Sequence, residues 1–333
     1  MTTPDRALVL TAGVGARLRP LSYIRAKAAV PIAGDALIRR ILRWLAGSGI
    51  RDLVLNLHHR PETIARVVGD GADLGVRVRY SWEQPLLGSA GGPRRALPLL
   101  AANRFFIING DTLTDVDLHA IAAAHDHAGA RVTMALIENP APDRFGGVRV
   151  DHDGRVTGFS RPGDSVRAFH FVGVQVVEAD VFHVVPDGEP AESVNGIYRP
   201  LVASADRPVH GFICDATFRD VGTPADYLAT CLAIARAEGS DDLAFPPSAR
   251  IHPTARLTRT AVWDDVEVGP GAELTDCVVA DGARIPGGAS FTRQAIVPAG
   301  GRTPATGEHL AGELLVAPLS PARLVRPGDA LAR

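Results

Sequence analysis

Apolar positions in the first third of the chain fall into two alternating patterns. Nearly unbroken apolar runs at residues 6–12, 51–57 and 104–110, and an alternating one at 75–81, have the length of strands. Between them Leu37, Ile38, Ile41, Leu42 and Leu45 recur at helical spacing over 35–47, with Asp35 as N-cap and Gly47 or Gly49 as stop. Pro61 and Glu62 open a second helix at 61–68, where the proline's missing N–H costs nothing. Strands alternating with helices predict a mostly parallel sheet with helices on both faces. From about residue 130 the helices thin out. Segments 130–137, 146–150, 155–160 and 170–177 read as strands, with 151–154 as a hairpin turn, so a β-rich insertion is expected over one side of the sheet. Residues 223–236 read as a helix capped by Thr223, with Pro224 at its first position.

After a linker-like stretch at 238–250 the period changes again. Ile251, Leu257, Val262, Val268, Leu274, Val279, Ile285, Phe291 and Val297 are spaced by six residues, slipping to five twice. Small or β-branched residues follow four places after each, at Ala255, Ala261, Val266, Ala272, Val278, Ala283, Ala289 and Ala295. Six residues per side and three sides per coil is the hexapeptide pattern of a left-handed parallel β-helix, here of nearly three coils. The expected organisation is an α/β domain over 1–237, a linker over 238–250, a β-helix over 251–300 and a capping tail over 301–333.

A chain of 333 residues is long for one domain, which agrees with that division. Its 46% apolar and 22% charged residues are ordinary globular composition, and a net charge of −2 argues against a dedicated binder of nucleic acid or anionic membrane. Cys214, Cys231 and Cys277 are far apart, so neither a disulfide framework nor a structural zinc site is expected, and a reducing cytoplasm fits. The first residues carry no charged-then-apolar leader, and no apolar run reaches 18 residues, so no membrane partner is expected.

Candidate chemistry begins where the first strand ends, in Thr11-Ala12-Gly13-Val14-Gly15-Ala16-Arg17-Leu18-Arg19-Pro20-Leu21. Two glycines let the backbone approach a phosphate chain with its N–H groups forward. A dinucleotide fingerprint requires a third glycine where Leu18 stands, and the Gly-Lys-Ser/Thr of a Walker loop is found nowhere. Arg17 and Lys27 instead offer two fixed positive charges to one polyphosphate. Asp111, after the strand at 104–108, and Asp220, just before the helix at 223–236, both sit where strands end, the edge at which open α/β sheets bind ligands. Two such carboxylates suit Mg²⁺, which takes one or two of them together with water and phosphate oxygens. Asp115 and Asp117 read as helix-start residues. His58, His59, His125 and His127 read as solvated loop or helix-end residues, since no cysteine or third histidine stands at ligand spacing.

With these motifs together, the sequence resembles the sugar-1-phosphate nucleotidylyltransferases, especially their mannose-1-phosphate guanylyltransferase-like members. The family pattern GxGxRLxPL, followed by a lysine before a proline-containing strand, is matched by Gly13, Gly15, Arg17, Leu18, Pro20, Leu21, Lys27 and Pro31. Lys27-Ala28 departs from the common Lys-Pro. The likeness extends from residue 6 to about 300 and implies a Rossmann-like, mostly parallel α/β nucleotidyltransferase domain followed by a short left-handed β-helix. It implies transfer from a nucleoside triphosphate to a sugar 1-phosphate, releasing pyrophosphate, with GTP and mannose 1-phosphate (or a related sugar or cyclitol phosphate) foremost. UTP, dTTP or ATP specificity is the alternative within the family. It further implies Arg17, Lys27 and Asp111 as catalytic residues and Mg²⁺ on Asp111 and Asp220. The nucleotide would lie against Thr11, Ala12, Gly13, Gly15, Arg17, Glu83, Gly88, Ser89, Ala90 and Gly91. The sugar phosphate would meet Gly147, Arg161, Gly173 and Glu192. Phe159-Ser160-Arg161-Pro162 stands for the family's FxEKP, with Arg161 able to grip phosphate bidentately. Phe171 replaces an asparagine, as in the uridylyltransferase-like members. A non-catalytic nucleotide-sugar-binding relative would be expected to lack Arg17, Lys27 or Asp111. An acyltransferase would need a histidine on a longer β-helix, where this one carries only His252 near its start. The β-helix is expected to support a homo-oligomer.

Overall fold

The computed structural model describes residues 3–204 and 208–319. Of the tail expected over 301–333, residues 320–333 therefore lie outside those described. The chain divides into two compact units, Met1–Gly13 with Ile38–Arg219, and Val14–Leu37 with Asp220–Arg333.

The first unit is built on a nine-stranded sheet. Its strands in chain order are β1 (Arg6–Leu10), β2 (Asp52–Leu57), β3 (Arg77–Trp82), β4 (Arg104–Asn109), β5 (Val132–Glu138), β6 (Gly147–Val150), β7 (Val156–Ser160), β8 (Phe169–Glu178) and β9 (Val209–Ile213). β1 lies between β2 and β4 and runs parallel to both, and β3 extends the parallel set beyond β2. β8 joins antiparallel to β4, β5 and the β6–β7 hairpin, which is the β-rich insertion expected from the sequence. The turn at 151–154 forms because the Asp151 carboxylate accepts from the N–H groups of Asp153 and Arg155, while Gly154 takes φ +79°. Apolar faces of the strands meet in one core that includes Leu8, Val54, Phe105, Ile107, Leu136, Val177 and Phe182. Each such side chain removed from water contributes about 1.5–3 kcal/mol.

The helices of eight or more residues are α1 (Leu37–Gly47), α2 (Pro61–Val68), α3 (Gly88–Leu100), α4 (Leu118–Ala128) and α5 (Pro224–Ala237). Asp35 stands two residues before the first residue of α1. It pairs with Ile32 in a two-residue antiparallel ladder, and its carboxylate accepts from Ala36 N–H before the helix begins. Asp117 does cap α4, accepting from His119 and Ala120, whereas Asp115 accepts from Thr217 N–H. His125 corrects another expectation. It is fully buried on α4, with Nδ1 2.9 Å from Thr133 Oγ1 and Nε2 3.3 Å from Glu178 Oε1, and burial lowers its pKa. Among the described residues no helix is long and apolar enough to cross a membrane.

In the second unit, Thr223 caps α5 as expected and Asp226 completes a capping box with it. The hexapeptide region forms three parallel sheets, one for each side of a short β-helix. Every coil advances the chain by 17 residues, as Ile251, Val268 and Ile285 pair in succession. Two sides of six residues and one of five explain the slips in spacing. On the third side Val262 and Val279 are followed by Ile296, not Val297. Val297 instead opposes Leu315 in an antiparallel hairpin of His309–Ala311 and Leu314–Pro318 that continues this side. The hairpin covers an edge that would otherwise present unpaired backbone groups.

Candidate active site

In the first unit the parallel strands end level with one another. Leu10 is in register with Asn56 and with Asn109, so the residues that follow share the carboxyl edge of the sheet. Thr11 is fixed there by Asn56, whose Oδ1 accepts from Thr11 N–H at 2.6 Å and whose backbone carbonyl accepts from the Thr11 hydroxyl. The same amide donates at 2.7 Å to Glu83, whose second carboxylate oxygen accepts from Leu87 N–H at 2.8 Å. Thr11, Asn56 and Glu83 are all buried, and a buried carboxylate is tolerable only when bonded in this way. Glu83 thus ties the end of β1 to the start of α3. Sequence reading passed over Asn56, although an amide inside the apolar run 51–57 is a signal of such a role. Gly13 has open space where a side chain would project.

Asp111 owes its place to two glycines. A Cβ on Gly110 would stand 2.6 Å from the Leu10 carbonyl oxygen, and Gly110 N–H donates to that oxygen at 2.9 Å. Only glycine lets β4 pass β1 so closely before Asp111 emerges half-buried, its Oδ1 3.3 Å from the Thr112 hydroxyl. Gly173 sits at φ +84° within the register shift of β8, and a Cβ there would strike Asn109 at 2.7 Å. The structure therefore brings Gly173 against the residue two places before Asp111.

The small residues at the start of α3 face the protein's own chain. A Cβ on Gly88 would meet the Ala191 carbonyl at 2.8 Å and Glu192 Oε1 at 3.0 Å, and Cβ atoms on Gly91 and Gly92 would collide with the Glu189 carbonyl and with Glu83. Ala90 N–H donates to the Ala191 carbonyl at 2.9 Å. The Ser89 hydroxyl donates to Glu192 at 2.9 Å and accepts from Ser193 N–H at 2.9 Å. Two residue groups read separately from the sequence, 88–91 and Glu192, are thus one hydrogen-bonded cluster.

The remaining sugar-side residues lie on the β6–β7 hairpin. Gly147 N–H donates to Ser160 Oγ at 3.1 Å, and Arg161 N–H donates to Asp164 at 2.7 Å. Arg161 borders a cavity of about 140 Å³ with Glu138, Asn139, Phe145 and Arg167. Behind Phe145 stands His170, buried between the rings of Phe145 and Phe218 with centroids 4.6 and 4.3 Å away and no hydrogen bond to either ring nitrogen. Burial lowers its pKa to about 4. Since the unfolded chain binds that proton near pH 6.5, stability is lost as pH falls from about 6.5 towards 4, by at most about 1.4 kcal/mol per pH unit. His170→Leu is expected to flatten this slope. Urea midpoints measured from pH 7 to 4.5 check it, and an unchanged slope refutes it. His125 and His210, also depressed by burial, keep some of the slope in the variant.

The second unit gathers the other charged candidates. Gly15 takes φ +62°, and a Cβ there would lie 3.1 Å from Ser22 Cβ and 3.6 Å from Lys27 Cβ. Ser22 Oγ donates to the Gly15 carbonyl at 2.8 Å, so the glycine turn is folded onto the segment bearing Lys27. Lys27 Nζ stands 3.6 Å from Asp220 Oδ1, both side chains nearly buried. A Cβ on Gly222 would stand 2.5 Å from Asp220 Oδ2 and 3.3 Å from the Arg17 guanidinium. Arg17, Lys27 and Asp220 thus converge on one turn, with Gly222, which the sequence reading did not single out, making the room.

Among the described residues no three His, Cys, Asp or Glu side chains cluster as a metal site. Asp111, in the first unit, and Asp220, in the second, each offer oxygen donors only. That donor chemistry fits a hard divalent cation completed by water and phosphate oxygens, and disfavours zinc.

The model of a family described as Nucleotidyl transferase matches residues 6–237. A mannose-1-phosphate guanylyltransferase of Mycobacterium tuberculosis is 29% identical over 306 residues, covering 86% of this chain and 83% of the relative. A UTP–glucose-1-phosphate uridylyltransferase of Synechocystis is 25% identical over 284 residues, covering 80% and 72%. Among solved structures, HddC from Yersinia pseudotuberculosis, crystallised with GMP-PN, superposes with a TM-score of 0.60 at 22% identity, over 69% of this chain and 99% of that one.

Proposed function

Because this chain belongs to the nucleotidyl transferase family, we propose that it joins a nucleoside triphosphate to a sugar 1-phosphate, giving a nucleotide sugar and pyrophosphate. The observation that carries this reading is the convergence of Arg17 and Lys27 on the Asp220–Gly222 turn. A sugar phosphate oxygen attacks the α-phosphorus in line and pyrophosphate leaves. The nucleophile is already an anion, so the reaction asks for no general base, in keeping with a site of cations and carboxylates. Arg17 and the backbone amides of Gly13 to Gly15 hold the departing pyrophosphate. Lys27 neutralises charge that builds on the five-coordinate phosphorus. The divalent cation proposed here is Mg²⁺, which Asp111 and Asp220 would hold and which would supply neutralisation of phosphate charge. Glu83 and Asn56 hold the end of β1 against α3, which fixes the base side. Glu192 and Ser89 border the same helix start.

GTP with mannose 1-phosphate, or a related sugar or cyclitol phosphate, is the proposed pair. The relative from Mycobacterium tuberculosis, matched along most of both chains, supports it. A uridylyl-transferring reading is favoured by Phe171, which stands for the family's asparagine, and by the Synechocystis relative. The transferase domain is proposed over 1–237, joined by 238–250 to the β-helix at 251–300, in a homo-oligomer. The test is pyrophosphate release across GTP, UTP, ATP, CTP and dTTP against a panel of sugar 1-phosphates with Mg²⁺. Highest turnover with GTP and mannose 1-phosphate or a close analogue supports the proposal, UTP preference transfers it to the second reading, and no release with any pair refutes both.

A further inference from the structure

The segment that carries Lys27 is tied at both ends to the β-helix. Arg25, two residues before Lys27, is 13% exposed. Its Nε donates to Asp281 at 2.7 Å, and its Nη2 to Asp281 at 2.7 Å and to Asp264 at 2.5 Å. Asp264 and Asp281 stand at equivalent places on successive coils and are themselves joined, Asp264 N–H donating to Asp281 Oδ1 at 3.1 Å. Ser248 Oγ steadies Asp264 at 3.0 Å. The guanidinium lies 5.5 Å from the ring centre of Trp263, which is buried. Trp263 Nε1 donates at 2.7 Å to the Tyr227 hydroxyl, which donates at 2.6 Å to the Pro31 carbonyl, four residues after Lys27. A third contact lies at Tyr23, where Arg302 stands 5.6 Å from the ring centre.

Most other ion pairs described in the β-helix are of a different kind, and Arg259–Asp276, though also forked, leaves its arginine 45% exposed. Arg250–Glu267, Arg256–Glu273 and Arg284–Glu267 run along exposed faces between neighbouring coils. Such pairs contribute little. Arg25 instead gives up most of its hydration to a fork of two carboxylates. That desolvation is costly and is offset only by strict geometry, which favours one register of the segment over others.

We infer that Arg25 is a positioning residue, and that Asp264 and Asp281 make the β-helix a working part of the transferase site by clamping the segment that holds Lys27 beside Asp220. The inference rests on Lys27 acting in the proposed reaction. A cation fixed before substrate arrives needs no reorganisation at the moment of transfer. Loosening the clamp leaves the Lys27 charge in place but displaced, so turnover falls more than nucleotide affinity does.

The test uses the full chain, with the double variant Asp264→Asn/Asp281→Asn, the single variant Arg25→Lys, and Arg284→Gln as a control for general weakening of the β-helix. Hydrogen–deuterium exchange over residues 19–33 and steady-state kinetics are read together. The double variant is expected to exchange faster in that segment and to lose about tenfold to a hundredfold in kcat, with the nucleotide KM within about threefold, as a displaced charge predicts. Arg25→Lys, which keeps the charge and loses the fork, is expected to fall between it and wild type. Should the double variant fail to fold, Arg25→Lys decides with the same two readouts. Exchange and kcat within twofold of wild type, or equal losses in Arg284→Gln, overturn the clamp. A wild-type chain inactive with every substrate pair sinks the transferase reading, while the exchange data still judge the clamp.

Discussion

Asp111→Asn is expected to fold as the wild type does and to release pyrophosphate about 10²–10³ times more slowly, the scale of losing one contact that stabilises transition-state charge. The position of residue 111 is set by its neighbours, since Gly110 lets β4 pass the Leu10 carbonyl and Asn109 is packed by Gly173. Asparagine has the same shape as aspartate and retains an oxygen for the Thr112 hydroxyl, so the local backbone has no reason to move. What changes is the negative charge. An amide oxygen is a weaker ligand for a hard dication, so the loss should be partly relieved by raising Mg²⁺. Thermal melting and a pyrophosphate-coupled assay over a range of Mg²⁺ check both halves. Full turnover in a folded variant removes Asp111 from the reaction, whereas a lowered melting temperature assigns it a structural role.

The frame of this site was readable because a buried strand announces itself by composition, and the residue after such a run must lie at the edge of the sheet. Thr11 and Asp111 were legible from the runs at 6–12 and 104–110, and the caps Asp117 and Thr223 from local backbone chemistry. Long-range partners were not readable. His125 looks like a helix-end residue until Thr133 and Glu178 close over it, and those lie on other elements. Ile296 and Val297 are both buried, so hydropathy alone does not say which faces the β-helix core. The answer comes from the previous coil, where Val279 pairs with Ile296, and from Val316 of the hairpin, which opposes Ile296 and shares its core. Gly88, Gly91 and Gly92 carry the same ambiguity, since a missing side chain marks close approach without saying what approaches. Here segment 189–192 and Glu83 fill that space. Arg25 was passed over because a lone arginine near a phosphate-loop lysine reads as one more solvated charge, and its carboxylates lie more than 200 residues further along the chain.

Lys27→Met is expected to lower turnover by about 10²–10³, and the difficulty lies in separating that from a loss of stability. Lys27 and Asp220 are 12% and 13% exposed, so removing the ammonium leaves a nearly buried carboxylate without its lysine. That costs about 1–3 kcal/mol of folding stability whatever the lysine does in the reaction. Adding Asp220→Asn to Lys27→Met removes the carboxylate charge that lost its lysine, so the double variant should melt above the single one. Asp220 is itself a proposed Mg²⁺ ligand, so the double variant is judged against Asp220→Asn: if the lysine served only to hold the turn together, the two turn over equally. If it neutralises charge on the phosphorus, the double variant is slower than Asp220→Asn by about 10²–10³ while its fold is restored. The cycle of wild type, two single variants and the double variant yields a coupling energy for stability and another for turnover. A double variant that melts above Lys27→Met yet turns over more slowly than Asp220→Asn is the expected result, and equal turnover of the double variant and Asp220→Asn would reduce Lys27 to a structural partner of Asp220.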